Sequence, residues 1–346
     1  MTELLGIEHP ILQAPMAGAT TPALAAAVSN AGGLGSLGCA MLAPDGFREQ
    51  VRQTRALTNR PVHVNFFCHE PPRRDAARAA LARELVKPFY DELGLGEVPE
   101  VTASNHPFDE SMLEAVIETR PQVVSFHFGL PADPAVRRLK DAGLLVMSSA
   151  TTVAEARHLA ARGVDAVIAQ GWEAGGHRGT FLGGPESGSV GTATLVPHVA
   201  DAVDVPVIAA GGIADGRGIA AAFALGASGV SIGTAFLTCP ESAIPEVHKQ
   251  ALLQARDEDT RLTRAFSGRH ARGLNNRYIE AMAGHEADLP DFPLMNTLTG
   301  PLRKAGGAAG SPDFVALWSG QAAPLNRALP AGELLEALVE DARARI

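Results

Sequence analysis

Short apolar or β-branched runs recur along the chain, and each stops at Gly, Ser, Asn or Gln. Eight of them begin near Ile11, Leu34, Val62, Val123, Leu144, Ala166, Val207 and Gly229. Runs of this length bounded by turn residues predict buried strands. Between most of them lie Ala-rich stretches with helical spacing of the apolar positions. The stretch 21–30 carries its own start signal: Thr21 can cap the helix, Pro22 takes the first helical position, and the pattern stops at Gly32. Several neighbouring strand starts are about 22 residues apart. Strands and helices alternating at that period predict βαβ units and a parallel sheet. Eight strands favour closure, so the expected fold class is α/β, a (β/α)8 TIM barrel.

Three segments break the rhythm. An excess stretch at 68–108 contains Pro71, Pro72 and a charged helical pattern; a glycine-rich loop follows Gln170; and a longer addition runs over 240–311. Insertions after strands 3, 6 and 8 all fall on the C-terminal face of a barrel, where active sites lie. The expected division is a barrel over 1–239 with the insertion at 68–108, a helical lid or small substrate region over 240–311, and C-terminal helices over 312–346 that pack back on the barrel.

Composition narrows the class. Of 346 residues, 46% are hydrophobic, enough for one large core, while aromatics are only 5%, so that core is aliphatic. The formal net charge is −9 and no Lys/Arg-rich run occurs, which argues against a nucleic-acid or anionic-membrane partner. Cys39, Cys68 and Cys239 are odd in number and widely spaced, unlike a disulfide framework or a Cys-x-x-Cys site. The first ten residues lack an apolar signal segment, and no run of about 18 apolar residues could span a bilayer. A cytoplasmic protein is expected.

Candidate chemistry gathers at strand ends. Gly33, Gly35 and Gly38 satisfy a Gly-x-Gly-x-x-Gly pattern, but they follow a helix and occupy a strand, whereas a dinucleotide fingerprint follows a strand and opens a helix. Small residues where the second strand enters the barrel explain them better. Gly211 and Gly212 end the seventh strand, and Gly233 and Thr234 the eighth. The loops after those two strands form the common phosphate site of such barrels, where glycines let backbone N–H groups approach. One such cradle suits FMN or a sugar phosphate better than a dinucleotide. Asn65 and Gln170 close strands 3 and 6 and could hydrogen-bond a flat heterocycle. His127 ends strand 4, and His177 lies among glycines just past strand 6, with little local apolar surface to pack on. No His-Glu-x-x-His, carboxylate cluster, P-loop or Gly-x-Ser-x-Gly elbow occurs, so no metal is expected.

At these residues the sequence resembles the class I nitronate monooxygenases, formerly called 2-nitropropane dioxygenases. The matching stretches are Gln-Ala-Pro-Met-Ala-Gly at 13–18, Val-Asn-Phe-Phe at 64–67, Val-Ser-Phe-His-Phe-Gly at 124–129 and Glu-Ala-Gly-Gly-His-Arg-Gly at 173–179. They continue with Ala-Ala-Gly-Gly-Ile at 209–213, Ile-Gly-Thr-Ala-Phe-Leu at 232–237, Phe-Ser-Gly-Arg-His-Ala-Arg-Gly at 266–273 and Leu-Trp-Ser-Gly-Gln at 317–321. The resemblance implies one noncovalent FMN in the barrel mouth. Asn65, Gln170, Gly175, Gly212, Ser231, Ile232, Gly233 and Thr234 would contact it, with Ala14, Pro15 and Met16 beside its ring. It also implies oxidation of alkyl nitronates by O2 to a carbonyl compound and nitrite, propionate 3-nitronate and neutral nitroalkanes being candidate substrates. His177 matches the catalytic histidine of such enzymes, and His127 one expected near the nitronate oxygens.

One position departs from the family's pattern. Where such enzymes often carry tyrosine before a proline on the substrate side, this chain reads Phe292-Pro293, and its only tyrosines are Tyr90 and Tyr278. The pocket is therefore expected to be drier. Lys304 could offer positive charge to an anionic substrate. Similar barrels also serve FMN-dependent NADH:quinone and enoyl-thioester reductases. A flavin-free isomerase or lyase acting on a phosphorylated metabolite, or a barrel that binds without turnover, is a further alternative.

Overall fold

The computed structural model describes residues 1–102 and 107–346. Its strands are β1 (Ile11–Gln13), β2 (Gly35–Gly38), β3 (Val62–Phe67), β4 (Val123–His127), β5 (Leu145–Ala150), β6 (Ala166–Gln170), β7 (Gly176–His177), β8 (Val207–Ala210), β9 (Gly229–Ile232), β10 (Thr260–Thr263) and β11 (Ala271–Leu274). Eight of these pair in the order β1-β9-β8-β6-β5-β4-β3-β2, every pairing parallel. The Gln13 N–H donates to the Leu34 carbonyl at 3.0 Å and the Leu34 N–H to the Ile11 carbonyl at 3.0 Å, joining the two ends of the sheet. The fold is the expected (β/α)8 barrel.

Local chemistry starts its helices. Thr21 Oγ1 accepts the Leu24 N–H at 3.0 Å with Pro22 at the first position, and Asp75, Asp109, Thr152 and Asp215 cap later helices in the same way. Val64, Val124, Val146 and Val167 face the helical layer and pack with Leu24, Val116, Leu139, Leu159 and Val196. Leu5 and Ile7 join Leu12, Leu34, Val123, Met147 and Ile208 and stop the N-terminal end of the barrel. The glycines of β2 serve packing: a Cβ on Gly35 would lie 1.8 Å from the Ala25 carbonyl oxygen, so the helix Pro22–Asn30 can lie on the strand only if that side chain is absent.

The added segments build a second core. Val86, Phe89 and Tyr90, from the helix Ala76–Glu92, pack with Phe266, Tyr278, Leu298, Leu302 and Phe314 of the chain beyond β9. Tyr90 donates its hydroxyl proton to the Leu298 carbonyl at 2.7 Å. Strands β10, β11 and β7 form a small antiparallel sheet, tying the loop after β6 to this lid. The stretch 312–346 divides. Phe314 joins the lid core and Trp318 turns toward the barrel mouth, whereas the helix Ala331–Arg343 packs beside Pro22–Asn30 and Gly216–Ala224 as the barrel's eighth helix.

Candidate active site

Strand parity decides what the barrel mouth contains. Successive side chains point to opposite faces. With Val64 and Val124 turned to the helices, His63, Asn65 and Phe67 of β3 and Ser125 and His127 of β4 turn inward. The same parity brings in Ser149 of β5, Gln170 of β6 and Ser231 of β9. With the lid above, they enclose a cavity of about 690 Å³ at the C-terminal ends of the strands, within the usual range for small-molecule sites.

One wall is set by a polar chain beneath it. Ser36 Oγ lies 2.7 Å from His63 Nδ1, and His63 Nε2 lies 2.6 Å from Ser125 Oγ. Burial pushes His63 down to about 3, so its ring is neutral. Asn65 donates Nδ2–H to Ser125 Oγ at 2.8 Å. That bond fixes the amide's orientation and leaves Oδ1 as its accepting edge.

The His177 loop is held by its backbone. The His177 carbonyl accepts from His127 Nε2 at 3.1 Å and from Gln170 Nε2 at 3.0 Å, while Gln170 Oε1 accepts the Gly179 N–H at 2.8 Å. A carbonyl only accepts, so His127 carries its proton on Nε2, and Ser149 donates its hydroxyl proton to Nδ1 at 2.5 Å. Beneath the loop, the buried Arg178 donates to the carbonyls of Gly171 at 2.6 Å and Gly188 at 3.0 Å. The His177 ring lies among Phe67, Phe128, Phe292 and Trp318, with centroids 5.3 to 6.2 Å away, and its Nε2 is 2.9 Å from Ser267 Oγ. Burial, helped by the positive charge of Arg269 and Arg303 nearby, pushes His177 down to about 3. At neutral pH the ring is uncharged, with one nitrogen lone pair free, and a weaker base than an exposed imidazole.

The opposite wall is bare backbone. Gly211 (φ 109°) and Gly212 (φ 70°) follow β8 in the left-handed region. A Cβ on Gly212 would come within 3.2 Å of the Glu173 Cβ. After β9, a Cβ on Gly233 would lie 3.5 Å from the Ala14 Cβ and 3.6 Å from Met16 Sδ, in ordinary contact. Thr234 Oγ1 accepts the Gly320 N–H at 2.9 Å, and Glu173 accepts the Thr192 N–H at 2.9 Å, which pins the neighbouring loops. Such a cradle fits a phosphate-bearing cofactor. Among the described residues, no group of three or more His, Cys, Asp or Glu could hold a metal ion, and no helix is long and apolar enough to cross a membrane.

The family model for nitronate monooxygenase matches residues 1–341. The chain belongs to the nitronate monooxygenase family. A nitronate monooxygenase of Pseudomonas aeruginosa is 48% identical, over 99% of this chain and 98% of that protein. The solved nitroalkane oxidase from Streptomyces ansochromogenes has a TM-score of 0.90 at 41% identity, covering 99% of this chain and 97% of its own. FabK from Thermotoga maritima is more distant, with a TM-score of 0.77 at 32% identity, covering 99% and 95%. This member of the nitronate monooxygenase family is accordingly an enzyme, an oxidoreductase.

In this family member Ala14, Pro15, Met16, Asn65, Gln170, Gly175, Gly211, Gly212, Ser231, Gly233 and Thr234 all line one cavity, together with His127, His177, Phe292 and Lys304. Two of the expected residues are placed differently from the rest. Ile232 has the outward parity and its side chain is buried in the helical layer, while its carbonyl accepts the Ala14 N–H at 2.8 Å. Lys304 is exposed at the rim, and the cation set into the cavity wall is its neighbour Arg303. His63, Ser125 and Ser149 were readable from the sequence, since they share the inward parity of Asn65, His127 and Gln170. Arg303 carried no local signal, because long-range folding brings it to the cavity, and Trp318 lay in a matching stretch that by itself assigned it no place in the site.

Proposed function

We propose that this chain binds FMN and oxidises alkyl nitronates with O2, giving a carbonyl compound and nitrite. The observation that carries this reading is the glycine cradle after both β8 and β9, in the same cavity as Asn65 and His177. A single phosphate cradle suits a mononucleotide. When bound, the flavin would supply the oxidation of the nitronate and the passage of its electrons to O2. Backbone N–H groups at Gly211, Gly212, Gly233 and Thr234 would hold the phosphate, and Asn65 Oδ1 would accept from a ring N–H. Phe67, Phe292 and Trp318 line the cavity and would exclude water around the reacting carbon. His177 would take the α-proton of a neutral nitroalkane, whereas a preformed nitronate needs no base. His127, with both ring nitrogens engaged, acts by holding the His177 carbonyl and so the loop. The free thiols of Cys39, Cys68 and Cys239 suit a reducing, cytoplasmic setting.

The purified protein should be yellow, with about one FMN per chain, because one phosphate cradle is present. It should release nitrite from propionate 3-nitronate or ethyl nitronate in air, and NADH should reduce its flavin slowly or not at all. Rapid anaerobic reduction by NADH without nitrite from nitronates would make it a reductase. Absence of flavin bands would point to the flavin-free isomerase or lyase.

A further inference from the structure

Arg178 and Arg272 are buried and Arg269 and Arg303 half-buried, and among the described residues none of the four pairs with a carboxylate. Three of them have a structural task. Arg178 donates to the carbonyls of Gln170, Gly171 and Gly188, Arg269 to those of Arg178 and Thr180, and Arg272 to the Trp172 carbonyl and Thr260 Oγ1. Arg303 differs from the other three. It lines the cavity, and among the described residues its hydrogen bonds are two long ones, from Nε to the Thr299 carbonyl and from Nη2 to Asn296 Oδ1, both 3.4 Å. A guanidinium has five N–H donors in a planar fork, so most of its capacity is unspent.

Apart from the glycine cradle reserved for a phosphate, the cavity offers an anion little. Phe67, Phe292 and Trp318 carry no charge, His127 has both nitrogens engaged, and Lys304 lies exposed at the rim. Moving an anion from water into such surroundings is costly unless a fixed cation meets it. We propose that Arg303 is the residue that binds the negative end of the substrate, its free fork facing the two oxygens of a planar anion such as a nitronate. The inference rests on the nitronate reading for the identity of the anion, and on the cavity for its place. The charge of Arg303 is also felt at His177, whose proton affinity it lowers.

The test uses the FMN-loaded enzyme and two variants, Arg303→Met and Arg303→Lys. The first probe is nitrate, a planar anion that cannot react, titrated while the flavin absorbance is followed. Hydrogen bonds to charged groups are worth about 1.5–3 kcal/mol, so nitrate should bind about 10- to 100-fold more weakly to Arg303→Met, with part of the loss restored in Arg303→Lys. KM for ethyl nitronate should rise by a similar factor with kcat changing much less, while inhibition by neutral nitroethane stays as in the parent enzyme. Equal nitrate affinity in all three proteins, or a loss of neutral nitroethane binding as large as that of the anion, would overturn the proposal. If the parent enzyme releases no nitrite yet nitrate binding still depends on Arg303, the anion site stands and the nitronate reading fails.

Discussion

His177 shows how the protein surroundings change a residue's chemistry. An imidazole of ordinary pKa, about 6.5, would be half charged near neutral pH. Buried among aromatic rings and beside arginine charge, His177 is pushed down to about 3 and enters the reaction neutral. Ser267 has one hydroxyl proton; when it goes to the Arg269 carbonyl at 3.2 Å, His177 must donate Nε2–H to Ser267, and Nδ1 is left as the basic nitrogen. A positioned base typically contributes about 10²–10⁴-fold, so His177→Asn should lower turnover of any accepted nitroalkane on that order. A nitronate has already lost its proton, and its turnover should fall much less. Steady-state rates on the paired substrates, with FMN content checked first, decide the matter. Equal losses would make His177 a residue that positions substrate or flavin, and no loss on either would leave it a structural role only.

At the scale of elements, the sequence was most legible where one element explains itself. The strand starts, the cap at Thr21 and the packing glycine Gly35 follow from period, capping and space, and each appears as expected. What could not be read is what two distant elements make together. The strand β7 has two residues and exists because β11 lies beside it, and the second core joins the 76–92 helix to residues beyond 260. Arg303 reaches the cavity by the same long-range folding. The cradle can be tested at this scale through Gly233, which lies outside the left-handed region and whose added Cβ would meet only ordinary contacts. Gly233→Ala should keep stability within about 1 kcal/mol in urea unfolding of the apoprotein. It should weaken FMN retention, because the new methyl group stands where the cofactor would approach the backbone. Gly212→Leu should lower FMN occupancy further. Normal FMN binding by both variants would remove the cradle from the cofactor site.

For the molecule as a whole, the buried histidines link stability to pH. Burial pushes His63 down to about 3 and His248 down to about 4, below the value of about 6.5 expected in the unfolded chain. Between the folded and unfolded values the unfolded state binds more protons, so stability rises with pH there. The contribution is fully present above about 6.5 and is lost as pH falls from there toward the folded values. His248 lines the cavity but has no part in the proposed reaction, and it donates Nε2–H to the Trp318 carbonyl at 3.1 Å, a bond that a glutamine amide can replace. One such histidine costs up to about 1.4 kcal/mol per pH unit, or about 2 kcal/mol between pH 6.5 and 5. His248→Gln should therefore lose about 2 kcal/mol less than the parent when urea unfolding at pH 7.5 is compared with pH 5.0, FMN being saturating in both. Parallel pH dependence in the two proteins would mean that His248 is protonated in the native state, and that its burial does not hold it neutral.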